Sequence, residues 1–109
     1  MAAKFFITRT DQKHHFVLKA GNGQSILLSP LFEQVNECTQ AIEAIRASPS
    51  LPERFQLSSV ANGKCLFHVL DEHGRIVGTS QLYASETTRA AGMASVKLSA
   101  AVATTVDSG

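Results

Sequence analysis

Sliding the chain along itself by 51 residues, without a gap, lays FVLKAGNGQSILLSPLFEQVNECTQAIEAIR (Phe16 to Arg46) over FHVLDEHGRIVGTSQLYASETTRAAGMASVK (Phe67 to Lys97). Phe16 meets Phe67, Gly23 meets Gly74, Ser29 meets Ser80 and Leu31 meets Leu82. Ile26/Val77, Phe32/Tyr83, Ile42/Met93, Ile45/Val96 and Arg46/Lys97 keep their physical type. Upstream, KFFIT (Lys4 to Thr8) matches RFQLS (Arg54 to Ser58), with one extra residue in the second copy's turn. Conserved type in a constant register marks a duplication, and a duplication restricts the fold more than any composition does.

Each copy has the same internal order. In the first, Lys4 to Thr8, His14 to Ala20 and Ser25 to Ser29 are short runs rich in Phe, Ile and Val, with the polar turn TDQK between the first two. The period then changes: Cys38, Ala41, Ile42 and Ile45 fall on one stripe of a helix, with Asn36 as the expected N-cap and Glu37 in the first turn. SPSLP, with Pro49 and Pro52, ends that helix and links the copies. The second copy repeats the pattern with Arg54 to Val60, Lys64 to Leu70 and Arg75 to Ser80 as strands. Ser85 caps a helix to about Leu98, whose stripe is Arg89, Gly92, Met93 and Val96. Val102 to Val106 reads as a last short strand.

Three strands and one helix, about 45 residues, would alone be marginal. Two such copies can share one antiparallel sheet with both helices on one face. The expectation is therefore a single α+β domain over residues 1–109, built from two tandem β3-α(-β) repeats at about 4–50 and 54–106. Alternation along the strands then assigns faces. Phe5, Ile7, Phe16, Leu18, Ile26, Leu28, Phe55, Leu57, Phe67, Val69 and Val77 are expected to face the helices, where Ala41 and Gly92 permit close approach. Phe6, Val17, Leu27, Leu66, Leu70 and Ile76 are expected on the opposite face, among His15, Lys19, His68 and Ser25. That outer face is more apolar than a wholly solvated one needs to be.

Several stretches carry a resemblance to a known family. KAGNG followed by SILLS in the first copy, and NGK, SQLYAS (Ser80 to Ser85) and GMASVK (Gly92 to Lys97) in the second, resemble the YegP-like family of small bacterial proteins, from about Lys4 to Val106. The resemblance implies tandem β3-α-β units assembled into one sheet, with the C-terminal strand of one unit pairing into the other. It implies no established activity, cofactor or catalytic residue. The chain departs from the family pattern at PLFEQ (Pro30 to Gln34), at Ala41 in place of the helix glycine, and at LDEHG (Leu70 to Gly74).

Composition and motifs exclude more chemistry than they suggest. Ten Lys+Arg against nine Asp+Glu give a net charge of +1, spread evenly over both copies, so no surface is dedicated to nucleic acid or anionic lipid. No apolar run approaches the roughly 20 residues of a membrane span and MAAKFF lacks the apolar segment of a leader, which points to a cytoplasmic protein. A phosphate cradle at Gly21-Asn22-Gly23 would need a helix after it, yet a strand follows. Asn22-Gly23 instead signals a hairpin, both residues tolerating positive φ, and Gly23 and Gly74 are expected to adopt it. Cys38 and Cys65 lack disulfide or zinc spacing and read as free thiols, Cys38 buried and inert. The one metal combination worth checking is His14 with Cys65, at equivalent positions. No cofactor or metal site is expected. No G-x-S-x-G or H-E-x-x-H occurs, and the only close acidic pair, Asp71-Glu72, lies in an expected exposed turn, so no enzyme is expected. Ser29 and Ser80 are expected to bond locally to the loops that follow them.

What remains is binding. The leading expectation is a protein-interaction module that uses the outer sheet face (Phe6, His15, Val17, Lys19, Leu27, Leu66, His68, Leu70, Ile76) or an edge strand, in a monomer or weak homodimer. The alternative is single-stranded nucleic-acid binding on the same face, with Phe6 stacking and Lys19, His15, His68 and Arg75 near phosphates.

Overall fold

The computed structural model describes residues 2–107. The first repeat supplies β1 (Lys4–Thr10), β2 (Lys13–Lys19), β3 (Ser25–Leu28) and α1 (Val35–Ala47). The second supplies β4 (Phe55–Ser59), β5 (Cys65–Leu70), β6 (Ile76–Thr79), α2 (Glu86–Val102) and β7 (Thr104–Asp107). All seven strands form one sheet in the order β4-β5-β6-β3-β2-β1-β7. The two repeats meet where β3 pairs antiparallel with β6, so an approximate two-fold passes through that seam. One pair departs from the antiparallel rule: β7 runs parallel to β1, with Lys4 opposite Thr104 and Ile7 opposite Asp107. The last strand of the second repeat therefore completes the first, as the family resemblance implies. The first repeat has no strand after its helix; Pro49 and Pro52 instead set two 3₁₀ turns, Ser48–Ser50 and Pro52–Arg54.

Turn chemistry sets the hairpins. The β1–β2 connection needs positive φ at both central residues, and Asp11 (49°) and Gln12 (66°) adopt it. At the β2–β3 turn only Gly23 (87°) does so, and at β5–β6 only Gly74 (80°). Asn22 keeps negative φ, contrary to a two-residue turn. Ala20 and Asp71 each accept from the glycine N–H three residues on, giving three-residue loops in both copies.

These loops feed a bulge that changes which residues face the core. Leu18 pairs with Leu27 but Lys19 pairs with Ser25, leaving Ile26 as an extra residue. The second copy repeats this with Val69 opposite Gly78, Leu70 opposite Ile76 and Val77 extra. A bulge shifts the alternation by one residue. Ile26 and Leu27 are therefore both buried, while Leu28 turns outward and is 53% exposed. This reverses the sequence-based placement of Leu27 on the outer face and Leu28 on the inner one. Leu57 does face the helix side, opposite Phe67, but is 53% exposed because β4 is the end of the sheet.

The helices pack on one face over Phe5, Phe16, Leu18, Phe67 and Val69, with Cys38, Ala41, Ile42, Ile45 and Val96 supplying the upper layer. Phe5 and Phe16 meet edge-on at 5.8 Å. In α1 the N-cap is Gln34, not Asn36: Glu37 reaches back to accept from the Gln34 N–H at 3.0 Å, which starts the helix two residues earlier. In α2 Ser85 is the cap, accepting from Thr88 N–H at 3.2 Å, and the helix continues past Leu98 to Val102. Among the described residues no helix is long and apolar enough to cross a membrane.

Candidate partner-binding face

The face of the sheet away from the helices is built from one row of paired residues crossing all seven strands. Val106 pairs with Phe6, Phe6 with Val17, Val17 with Leu28, Leu28 with Thr79, Thr79 with His68, and His68 with Gln56. The first four are apolar and the last three polar, and the change falls at the seam between repeats. Equivalent positions therefore carry opposite chemistry: Phe6, Val17 and Leu28 correspond to Gln56, His68 and Thr79. The flanking positions invert the other way, with His15, Lys19 and Ser25 corresponding to Leu66, Leu70 and Ile76. The duplication preserved the fold and divided this face into an apolar centre with polar flanks and a polar centre with apolar flanks.

Side-chain contacts sharpen the contrast. Lys19 Nζ lies 5.2 Å from the centroid of the Phe6 ring. In the other half His68 Nδ1 and Thr79 Oγ1 are hydrogen-bonded at 2.9 Å, so the polar pair satisfies itself. His15, opposite Thr8, has a buried Nδ1 without a hydrogen-bond partner among the described residues. A depression of about 430 Å³ at the seam is bordered by Val17, Leu28 and Thr79. The expected face residues Phe6, Val17, Lys19 and His15 are thus gathered in one half, and Leu66, His68, Leu70 and Ile76 in the other. Leu27 belongs to neither. Leu28 takes its place, and only the bulge could have revealed it.

The remaining candidates do not assemble into a reactive site. Two strands separate His14 on β2 from Cys65 on β5, about 14 Å at the usual strand spacing. Equivalence by a two-fold put these residues on opposite sides of the seam, so they are not brought together. Among the described residues no three His, Cys, Asp or Glu side chains converge as a metal site. Cys38 is buried, and burial, with Glu37 and Asp107 nearby, pushes its thiol up to about 11. Burial also acts to raise Asp71, but hydrogen bonds from the Arg75 and His73 N–H groups and from the Arg75 side chain outweigh it and hold the carboxyl below its ordinary value. Asp71 is thus an acceptor that shapes its turn. Ser29 Oγ accepts from Phe16 N–H at 2.8 Å and donates to Pro30 O, and Ser80 Oγ does the same with Phe67 N–H at 3.0 Å and Gln81 O. Each serine bonds the following loop as expected and also stands in for a strand carbonyl in the ladder.

On the helix side lies an open groove of about 750 Å³ between α1 and the β5–β6 turn, lined by Phe32, Gln40, Ala44, Arg54, Asp71 and His73 among others. No sequence motif signals it, because it arises from how the helix of one repeat leans over the turn of the other.

Comparisons with known proteins agree with the duplicated architecture. The family model described as "Domain of unknown function (DUF1508)" matches the chain twice, over residues 10–52 and 61–107, one match per repeat. The UPF0339 protein YegP of Escherichia coli (strain K12) is 37% identical over 98 residues, 89% of each chain. A UPF0339 protein of Pseudomonas aeruginosa is 39% identical over the same length, again 89% of each. The solution structure of E. coli YegP, a protein of unknown function, superposes with a TM-score of 0.91 at 35% identity, covering 99% of this chain and 94% of that one. The solution structure of a UPF0339 protein from Shewanella oneidensis gives the same TM-score of 0.91 at 30% identity, over 98% and 92%. Two family matches in register with the two halves of one sheet, and relatives spanning most of the chain, establish that the chain belongs to the DUF1508 family, alongside the UPF0339 YegP proteins.

Proposed function

We propose that this chain is a small non-catalytic protein-interaction module that engages a partner through the Phe6, Val17 and Leu28 half of its outer sheet face. The observation that carries this reading is the apolar half-row, which no helix covers and which ends at the seam, where Leu28 is 53% exposed. An apolar centre rimmed by polar groups is the usual anatomy of a protein contact surface, and here Lys19, His15 and Ser25 form that rim.

Nucleic-acid binding on the same face has less support. Phe6 is its one aromatic ring, and Lys19 already lies over that ring, whereas single-strand binding relies on several accessible stacking platforms along a basic groove.

Leu28→Lys tests the proposal because it places a charge at the centre of the patch without touching the core. Quantitative affinity capture with the wild type, Leu28→Lys and Gln56→Lys as a control in the polar half should show binders lost only with Leu28→Lys, at unchanged melting temperature. If all three proteins capture the same set, the apolar half is not the contact surface.

A further inference from the structure

The two ends of the sheet are not alike. At one end β7 covers β1. At the other, β4 pairs with β5 alone among the described residues, although it occupies the position equivalent to β1. The absence follows from chain length: 51 residues before Thr104–Asp107, the chain is already in the Pro52 turn and the first residues of β4 itself.

The β1 end shows how such an edge is closed. Arg46 of α1 stacks its guanidinium 5.1 Å from the centroid of Phe5. From there its Nη1 donates to Ala103 O, and its Nη2 donates to Thr105 Oγ1 at 2.9 Å. One side chain thus holds the backbone and a hydroxyl of the incoming strand. Lys97 of α2 is the equivalent residue. Its Nζ lies 5.0 Å from the centroid of Phe55, the equivalent of Phe5, and it makes no hydrogen bond or ion pair with any described residue. The cation and the ring are in place, and the strand they would hold is missing.

The backbone of β4 is oriented to receive one. Phe67 and Cys65 direct their N–H and C=O groups toward Ser80 and Tyr83 on the β6 side. Leu57 and Ser59, opposite them in the ladder, therefore turn theirs toward the open edge. Exposure measures what is lacking: Ile7, beside β7, is 3% exposed, and its equivalent Leu57 is 53% exposed. An uncovered edge is a template for an added strand.

We propose that β4, with Phe55, Leu57 and Lys97, is a receiving slot for an extended segment of another protein. The segment runs parallel to β4 and resembles β7 in chemistry, with small or β-branched side chains and a hydroxyl residue beneath Lys97. A second copy of this chain is not the donor, since lifting its β7 from β1 opens an edge for every edge it closes. The proposal is independent of the outer-face reading.

A synthetic peptide spanning Val102 to Asp107, which is β7 with the two residues before it, is the probe, because the fit of β7 to the equivalent slot is visible. Titrated into the isotope-labelled full chain, it should shift and protect the Leu57 and Ser59 amides. A spin label at the peptide N-terminus should broaden the Phe55 end, and one at its C-terminus the Ser59 end. Lys97→Ala should weaken binding several-fold with the remaining amide spectrum unchanged, and Leu28→Lys should leave the titration as in the wild type. The proposal fails if the β4 amides do not respond at the highest soluble peptide concentration, if the labels report an antiparallel peptide, if shifts centre on β1 through displacement of β7, or if the chain dimerises through β4.

Discussion

Gly92 on α2 sits directly beneath the Tyr83 side chain, and a methyl group built on it would overlap the tyrosine hydroxyl and ring. The Tyr83 ring has little freedom to retreat, because it stacks on Phe67 at 6.2 Å with planes 10° apart. Gly92→Ala therefore combines two opposed effects. Overpacking costs about 1–3 kcal/mol, and a rigid ring rather than a flexible chain end puts this case near 3. The gain in helix propensity returns about 1 kcal/mol. The net loss is about 2 kcal/mol. With an unfolding entropy of about 2.1 cal/mol/K per residue, that lowers the melting temperature of a chain this size by roughly 9 °C. The first repeat contains the remedy, since Phe32 and Ala41 occupy the positions of Tyr83 and Gly92. Adding Tyr83→Phe to Gly92→Ala recreates that pair and should restore at least about 1 kcal/mol, measured as the coupling in a double-mutant cycle by chemical denaturation. A Gly92→Ala protein that melts at or above the wild-type temperature, or a Tyr83→Phe change that does nothing for it, would refute the packing account.

The seam and the second turn give two further tests. A methyl on Gly78 would come within 2.6 Å of Leu27 Cδ2, so Gly78→Ala should destabilise by about 1–3 kcal/mol; combined with Leu27→Ala, which alone costs about 2–5 kcal/mol, the loss should fall short of the sum in calorimetry, because each change relieves the other. Asp71→Ala removes the acceptor for the His73 and Arg75 N–H groups and should cost about 1–2 kcal/mol at neutral pH. Because the folded carboxyl lies below its ordinary value, that difference is present above the unfolded pKa of about 3.9 and should vanish as pH falls through the lower folded value. A difference between the two proteins that persists at still lower pH would show that the side chain matters for something other than its charge.

Elements whose signal is carried by periodicity were legible in the sequence. The helix stripe Cys38-Ala41-Ile42-Ile45 is buried as read, and of Arg89-Gly92-Met93-Val96 all but the half-buried Met93 are, while Phe5, Ile7, Phe16, Leu18, Phe67 and Val69 line the inner face. The failures in face assignment and turn type share a cause, which is that a backbone irregularity has no fixed side-chain signature. The bulge at Ile26 is a register event, and it alone moved Leu27 inward and brought Leu28 onto the outer face. The positive φ at Asp11 and Gln12 came from a turn without glycine. His14 and Cys65 are equivalent by the repeat, yet equivalence says nothing of distance until the order of strands is known. The opposed polarity of the two half-faces was implicit in the aligned copies, but it becomes visible only once cross-strand pairing shows which residues are neighbours.

The parallel pairing of β7 with β1 also bears on how the chain is made. Lys4 and Thr104 lie side by side in the sheet but a hundred residues apart in order. Pairings so distant in sequence carry the largest loop-closure cost and form late. During synthesis the first repeat emerges early, and its β1 edge remains without a neighbour until the end of the second repeat arrives to cover it. The second repeat thus acts toward the first as a built-in chaperone: until β7 docks, the strand at that edge is β1 with Phe5 and Ile7 of the core beside it, and afterwards it is the short β7, with both core residues buried.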